Sequence, residues 1–569
     1  MGEGLPAEVG QTNFENADLM RAADNSAVDL IIVGAGGAGL AAAIAGAEAG
    51  ATVRILEKSP LVGGTYAYST GLIWMPDNRF MRAAGLKDSV GLAADHIREL
   101  SGGRHDEDVL LAFLEEGPGA MDYLESLGVP FERIPNHPDY YSSRRGGLLD
   151  GRYIASPLFE PATMLPAEWR DRLVASPYYA GLPVSWREIQ EWGGIATAAR
   201  WDAAEIDRRN RRDARAWGSA TTGYLLAAAL ARGVEIQTGL AARRLLMEGG
   251  RVVGVEVDGN GGASVHRARK AVILAAGGYE GSPELQRRWD PHPVAHRLGS
   301  PAVTGDATLM ALEIGAAFEV IDGQLLTPTY QVQGETTNGE PLHRLMVREA
   351  AFPGGIVVNG AGRRFCDEAF NRDLCHGMAR FDVVTQSFPN HPAYFICDHQ
   401  WKLDYQLGPV RAGEFPQWLR PAKTVQELAE RISCDENVLR STLDRFNQHA
   451  VNGKDPDFER GESPYDRNHG DPRVMPNPCL RTLAPPYYCV EVSLGSSGSN
   501  SGLSVDRFGR VQHLRGEAIP GLFAIGNTAA NLVEGLWYNS GTANAKALVF
   551  GCISARSALT LQASVRSAG

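Results

Sequence analysis

Residues 28–58, VDLIIVGAGGAGLAAAIAGAEAGATVRILEK, run from an almost wholly apolar segment through glycines into an alanine-rich segment and a second apolar run. Val28 to Val33 is too continuously apolar for a half-exposed strand and predicts a buried one. Ala38 to Ala49 predicts a helix, and Thr52 to Leu56 a second strand closed by Glu57. Further along, WGSATTGYLLAAALARGVEIQTGLAARRL (217–245) predicts helix then strand. RVVGVEVDGNGGASVHRARKAVILAAGG (251–278) predicts a hairpin with a glycine-rich turn, then a returning strand. TVQELAERISCDENVLRSTLDRFNQHA (424–450) predicts two amphipathic helices, the second capped by Asp435. The only other long-range signal is GLFAIGNTA (521–529), a strand ending in Gly526-Asn527, followed by the apolar helix that Thr542 opens.

The first segment carries a specific chemistry. Gly34, Gly36 and Gly39 form GxGxxG, with Gly37 and Ala38 opening the helix. Gly34 makes the tight turn, Gly36 lets the backbone approach a pyrophosphate, and Gly39 packs helix on strand. The helix N-terminus faces the phosphates, and Glu57, with Lys58 beside it, offers acceptors to a ribose. A purely structural glycine turn is the competing reading.

Three later stretches favour FAD over NAD. LVGGTYAYSTGLIW (61–74) supplies Gly63, Gly64, Thr65, Ser69, Thr70 and Gly71 beneath a long ligand. AVILAAGGYE (271–280) ends a strand at Ala276-Gly277, and GLFAIGNTA ends one at Gly526-Asn527. A chain that returns to its nucleotide fold after hundreds of residues has a discontinuous domain with an insertion.

Composition narrows the partners. The 569 residues carry a formal net charge of −12 and are 44% hydrophobic, which argues against nucleic acid or an anionic membrane surface. No apolar run reaches the roughly 18–20 residues of a membrane span. Seven cysteines without a CxxC pair make neither a disulfide framework nor a zinc site, so no metal is expected and a reducing, cytoplasmic setting fits. Residues 1–27 lack the pattern of a secretory signal and read as a tail.

Together these stretches resemble the fumarate reductase/succinate dehydrogenase flavoprotein superfamily, and within it the 3-ketosteroid dehydrogenase branch (Δ1-/Δ4-type). SPAVTGDATLMALEIGAAF (300–318) is similar to the TGDG segment and places Asp306 at the cofactor; GGIVVNGAGRRFCDEAFNRD (354–373) is similar to the VNxxGxRFxNE segment. The resemblance implies an α/β fold: a Rossmann-like FAD-binding domain in two pieces (28–284, with an aromatic-rich insertion near 100–215, and 484–569) and an inserted α+β capping domain (285–483). It implies backbone contact with FAD near Thr238–Ala241. No histidine occupies the stretch where covalent members carry one, so FAD is expected to be noncovalent.

The same resemblance separates two branches. Where dicarboxylate reductases carry cationic side chains, this chain has TPT (327–329), GSSGSNSG (495–502) and WYNSGTAN (537–544). A pocket lined by Thr, Ser and Tyr does not neutralise a dianion, which argues against fumarate or succinate. Tyr538-Asn539-Ser540-Gly541-Thr542 fits the YxSGT pattern of ketosteroid enzymes. Removing a proton beside a ketone builds charge on its oxygen, and Tyr538, Ser540 and Gly541 are the expected oxyanion donors. The helix mouth at Thr542 would face the flavin pyrimidine edge.

The proton acceptor is less defined. Arg372 stands near where ketosteroid enzymes carry a tyrosine, and matches the proton-shuttling arginine of fumarate reductases; a salt bridge with Asp373 or Glu368 is the bland alternative. Tyr140 in HPDYYSSRRGG and Tyr179 in SPYYAGLP are the substitute bases, the second in a Trp/Tyr-rich segment that either roofs a pocket or forms a surface subdomain. The expected function is FAD-dependent desaturation of a ketosteroid or smaller ring ketone. Its substrate is a small apolar cyclic ketone, and its electrons leave to a diffusible, quinone-like acceptor. The alternative is an ene-reductase with Arg372 as proton donor.

Overall fold

A computed structural model describes residues 27–179, 182–259, 261–321, 324–532 and 539–560, with nothing described for the Tyr179 side chain. Tyr538 lies outside the described residues.

The N-terminal pattern forms what it predicts: β1 (Val28–Val33), α1 (Gly37–Glu48) and β2 (Val53–Glu57). After a long excursion come α2 (Trp217–Ala231), β3 (Glu235–Thr238), β4 (Ala241–Glu248), β5 (Arg251–Gly259) and β6 (Gly262–Leu274). A second sheet draws on β7 (Gln324–Thr337), β8 (Glu340–Leu345), β9 (Gly355–Asn359), β10 (Ala393–Asp398) and β11 (Tyr487–Ser499). The helix α3 (Asn371–Ala379) lies between β9 and β10 in the chain. β12 (Arg510–Gln512), β13 (Ala518–Ala524) and α4 (Thr542–Thr560) follow.

The first sheet has the order β12-β13-β6-β1-β2-β3, with β4 and β5 attached through β6. β1 pairs in parallel with both β2 (Ile32 opposite Ile55) and β6 (Ile32 opposite Ile273). β13 then pairs in parallel with β6, Phe523 opposite Ile273. Both faces of this parallel core are covered, so its strands are apolar throughout rather than alternating. Leu30, Ile31, Ile32, Ile55, Ile273 and Leu274 are fully buried, and each such side chain contributes about 1.5–3 kcal/mol.

The second sheet runs β8-β7-β11-β10-β9, with the short strand His296–Arg297 also on β11. β11 falls within residues 484–569, expected to belong to the cofactor half, yet pairs with β7 and β10 at the centre of this sheet. The reason is its length. Its Ala393-facing residues extend the ladder with β10, and its Ser493–Ser499 portion the ladder with β7. The 424–450 stretch forms two helices, Val425–Ile432 and Glu436–Ala450, with Asp435 accepting from the Asn437 and Val438 amides as the N-cap. They bury Leu428, Ile432, Leu439, Leu443 and Phe446 against this sheet in one apolar cluster.

The two chain ends meet at α1 and α4. Both helices are small-residue-rich, and a Cβ on Gly551 would lie 2.9 Å from the Ala41 Cβ and 3.0 Å from the Ala38 carbonyl oxygen. Among the described residues, no helix is long and apolar enough to cross a membrane. Replacing Gly551 with Val is expected to destabilise the fold by about 1–3 kcal/mol through overpacking. The measurement is chemical denaturation; an unchanged midpoint would show that α1 and α4 separate freely.

Candidate active site

A cavity of about 850 Å³ opens between the two sheets, and the glycine turn forms one of its walls. Gly34 sits at φ +108°, and a Cβ there would lie 2.5 Å from the Ala275 carbonyl oxygen, so only glycine makes this turn beside β6. Gly39 does not reach the cavity. It packs behind the turn, where a Cβ would lie 2.0 Å from the Gly34 carbonyl oxygen. Gly36, Gly37 and Ala38 do line the cavity, at an α1 N-terminus that has no side-chain cap. A Cβ on Gly36 would meet nothing nearer than 3.9 Å. Bare amides with open space before them are what a pyrophosphate requires.

Glu57 lines the same wall. Its carboxyl accepts from the Ala35 and Ser59 amides at 2.7 Å each. Burial raises its pKa, against the pull of those amides and Lys58. A carboxylate has acceptor sites beyond these two, so a ribose hydroxyl can still be received. Lys58 also lines the cavity and ties β2 to the Asp306–Glu313 helix, bonding Asp306 at 2.7 Å and Thr304 at 2.8 Å.

Of the other residues expected at the cofactor, Gly64, Thr65, Ser69 and Thr70 line the cavity, as do Ala276, Gly277, Asp306, Gly526 and Asn527. Gly63, Gly71, Ala241 and Thr542 are not among the lining residues. Gly63 (φ +127°) and Gly71 (φ +68°) serve the turns: a Cβ on Gly71 would lie 2.4 Å from the Trp217 carbonyl carbon. Ala241 is buried, and its neighbours Leu240 and Ala242 face the cavity instead. Thr542 is buried at the start of α4, with Ala543 and Asn544 reaching the cavity. Glu280, beyond Gly277, was not singled out by sequence. It is buried at the cavity wall, accepts from Thr65 Oγ1 at 3.4 Å, and burial raises its pKa to about 7.

The opposite end of the cavity is built by three distant segments. Ser540 and Gly541 reach it from the turn before α4. Gly541 (φ +85°) lets that turn press on the strand Ile73–Trp74, since a Cβ there would lie 2.7 Å from the Trp74 nitrogen. The turn is held by Asn539, whose buried side chain spans two partners. Its Oδ1 accepts from the Tyr140 amide at 3.1 Å, and its Nδ2 lies 3.0 Å from His96 Nε2. An amide NH₂ only donates, so Nε2 is the acceptor and Nδ1–H donates to the Arg145 carbonyl at 3.0 Å. Burial keeps His96 neutral, lowering its pKa against Asp139's charge. Asp139 is itself clamped by Arg152 at 2.8 Å and by Trp74 Nε1 at 2.8 Å. The Asn539 side chain therefore fixes Ser540 relative to Tyr140.

Tyr140 and Arg372 both line this end. The Tyr140 ring meets that of Tyr465 edge-on at 4.4 Å, and their phenols are hydrogen-bonded. Tyr465 passes its own proton toward Asn371 Oδ1 at 3.2 Å. Arg372 is buried and bonds the Leu326 carbonyl through Nη2, while its Nε has no hydrogen-bond partner. The expected alternative of a salt bridge to Glu368 or Asp373 is not what forms among the described residues. Glu368 is held by Arg364 at 2.7 Å and Arg460 at 3.1 Å, and Asp373 accepts the Asp367 amide. Burial opposes the Arg372 charge, but Cys375, Tyr140, Tyr141 and Tyr465 outweigh it and hold the pKa above the usual arginine value. Tyr178, not the neighbouring Tyr179 proposed from sequence, is the lining residue described from the aromatic segment. Trp186 from the same segment lines the cavity too, which decides for a pocket roof over a separate surface subdomain.

One expectation is overturned. The pocket is not free of cations: Arg348 and Arg372 both line it, from segments other than the three compared by motif. Arg348 lies over the Trp186 ring at 5.5 Å, beside His137 and His469. Both histidines are neutral, His137 with a pKa lowered to about 3 by burial and then by the Arg348 charge. No spacing signal marked these residues, because each is a single polar position in an unrelated stretch.

With that geometry in view, comparison with known proteins defines the class. Residues 29–544 match the FAD binding domain family, so the chain belongs to that family and FAD is its cofactor. Over 544 residues it is 34% identical to the 4-oxocyclohexanecarboxylate 2-dehydrogenase of Sinomonas cyclohexanicum, covering 93% of this chain and 92% of the relative. It is 30% identical over 558 residues to the 3-oxosteroid 1-dehydrogenase of Mycobacterium tuberculosis, covering 93% and 97%. The fold is similar to that of 3-ketosteroid Δ1-dehydrogenase from Sterolibacterium denitrificans in complex with 1,4-androstadiene-3,17-dione. The TM-score is 0.85 at 30% identity, over 94% of this chain and 99% of that one.

Two outcomes test the site. Asn539→Ala is expected to lower kcat and cost about 1–3 kcal/mol of stability by leaving the Tyr140 amide and His96 unsatisfied; unchanged turnover would remove Asn539 as the anchor. His137 ionises near ~6.5 when unfolded and at about 3 when folded. Its contribution to stability is complete above the unfolded value and is lost as pH falls toward the folded one. The melting temperature of His137→Gln is therefore expected to fall less steeply between pH 7 and pH 4 (roughly that window) than that of the native protein.

Proposed function

We propose that this flavoprotein desaturates a ring ketone, forming the C=C bond α,β to the carbonyl. One observation supports it above the others: a single cavity joins the uncapped α1 N-terminus to Ser540, Tyr140 and Arg372 from three remote segments. The relatives named above act on a 4-oxocyclohexanecarboxylate and on 3-oxosteroids, which supports the same reaction type here. When bound, FAD supplies the hydride acceptor.

The chain's own residues supply the rest. Ser540 donates its hydroxyl proton to the carbonyl oxygen as charge develops there, a role typically worth about 10²–10³ in rate. Gly541 keeps that turn against Trp74 and so sets the donor's position. Tyr538, adjacent in sequence, is the second donor of this reading. Tyr140 takes the α-proton. The fixed Arg372 charge favours its phenolate form, and the hydrogen bond to Tyr465 leads the proton away from the cavity. The Tyr179 alternative carries no such set of contacts. The reductase alternative needs Arg372 to release and regain a proton. The raised pKa and the absence of a carboxylate partner among the described residues work against that. A diffusible, quinone-like acceptor takes the electrons on, and the seven free thiols fit a reducing cytoplasm.

Anaerobic mixing with a panel of ring ketones is expected to bleach the oxidised flavin. Tyr140→Phe is expected to slow that reduction about 10²–10⁴-fold with FAD still bound, and Ser540→Ala about 10²-fold. A flavin that no ring ketone reduces would overturn the desaturase reading.

A further inference from the structure

The cavity is electrically lopsided. At the Ser540 end, the described lining side chain facing the carbonyl site is a neutral hydroxyl. At the other end two guanidiniums, Arg348 and Arg372, line the wall and flank Tyr465, whose phenol both of them influence. Around them the titratable groups are uncharged. Burial pushes Tyr141 and Tyr465 up, Cys375 up to about 12, and His469 and His137 down. Glu349 also lines the cavity, but burial raises its pKa, and its Oε1 accepts from the Tyr330 phenol at 3.2 Å. The further cavity arginine Arg344 is already paired with Glu335 at 2.6 Å.

A buried guanidinium facing only neutral groups is costly unless an anion completes it. Arg372 has one Nη committed to the Leu326 carbonyl and an Nε–H with no acceptor. We propose that Arg348 and Arg372 form a carboxylate subsite, so that the substrate is a ring keto acid with its ketone at Ser540 and its carboxylate at the arginines. The inference rests on the ring-ketone reading and adds to it the second functional group.

The physical reason is complementarity of both ends. Guanidinium binds carboxylate through charge-assisted, often bidentate hydrogen bonds, about twice as strong as neutral ones. A carboxylate left opposite Ser540 would have no cation, which disfavours a dicarboxylate. A steroid would leave both arginines uncompensated. A single negative charge across the ring from the carbonyl satisfies both ends at once. His137 and His469, held neutral, add polar lining without a competing charge.

The test compares 4-oxocyclohexanecarboxylate with its methyl ester, on the native protein, Arg348→Gln and Arg372→Gln. The native protein is expected to favour the acid in kcat/KM by about 10²-fold, and each variant to shrink that acid-to-ester ratio toward unity. A ratio is used because Arg372 also assists Tyr140, and a loss of chemistry lowers both substrates alike. Binding gives a second readout without turnover. 4-Hydroxybenzoate is expected to perturb the flavin spectrum at concentrations about 10²-fold below those needed for methyl 4-hydroxybenzoate, and to lose that advantage in both variants. Equal handling of acid and ester, with flavin reduction by both, overturns the carboxylate subsite and leaves the desaturase reading intact. Tight 4-hydroxybenzoate binding that needs both arginines, with no ketone able to bleach the flavin, upholds the subsite and overturns the desaturation.

Discussion

Everything at the active site depends on how closely α1 approaches its neighbours. Gly39 allows α1 to rest on the Gly34 turn, and Gly551 allows α4 to rest on α1. A side chain at either position would meet backbone or a neighbouring Cβ within 3 Å. These contacts bring residues more than 500 positions apart to one place, so that the mouth of α4 stands beside the phosphate-binding turn. The parallel pairing of β13 with β6 and of β6 with β1 supplies the rigid floor beneath both.

On that floor the cavity divides its chemistry by charge. The cofactor wall offers uncapped amides and small residues, with Glu57 held by the Ala35 and Ser59 amides. The substrate end offers a hydroxyl, a phenol and two guanidiniums. Burial is the common cause of the protonation states there. It keeps His96, His137 and His469 neutral and the phenols of Tyr141 and Tyr465 protonated, which leaves the arginines as the fixed charges. Tyr140 sits where these influences meet, bonded to Tyr465, beside Arg372, and held through its backbone by Asn539.

The family relationship and the cavity agree on class while differing in what they specify. Belonging to the FAD binding domain family accounts for the glycine turn, the hydroxyl-rich stretch after β2 and the return of the chain at β13. It does not account for Arg348, His137 and His469, which come from three unrelated segments and meet only at the roof beside Trp186. Such residues distinguish one substrate from another on a shared scaffold.

By itself the sequence determined the local and the repetitive: β1–turn–α1–β2, the nucleotide it binds, the capped helix at Asp435, and the turn at 539–542. Each of these is written in contiguous residues whose spacing follows directly from strand, helix or turn geometry. Tertiary structure decided the rest. It turned Gly63, Gly71, Ala241 and Thr542 from ligand contacts into packing, gave β11 to the second sheet, and freed Arg372 from the acids beside it in the chain. It also returned cations to a pocket whose motifs had lost them. The reason is that a side chain's environment depends on what packs against it from distant segments, and neither burial nor charge pairing across such distances has a period that a linear sequence displays.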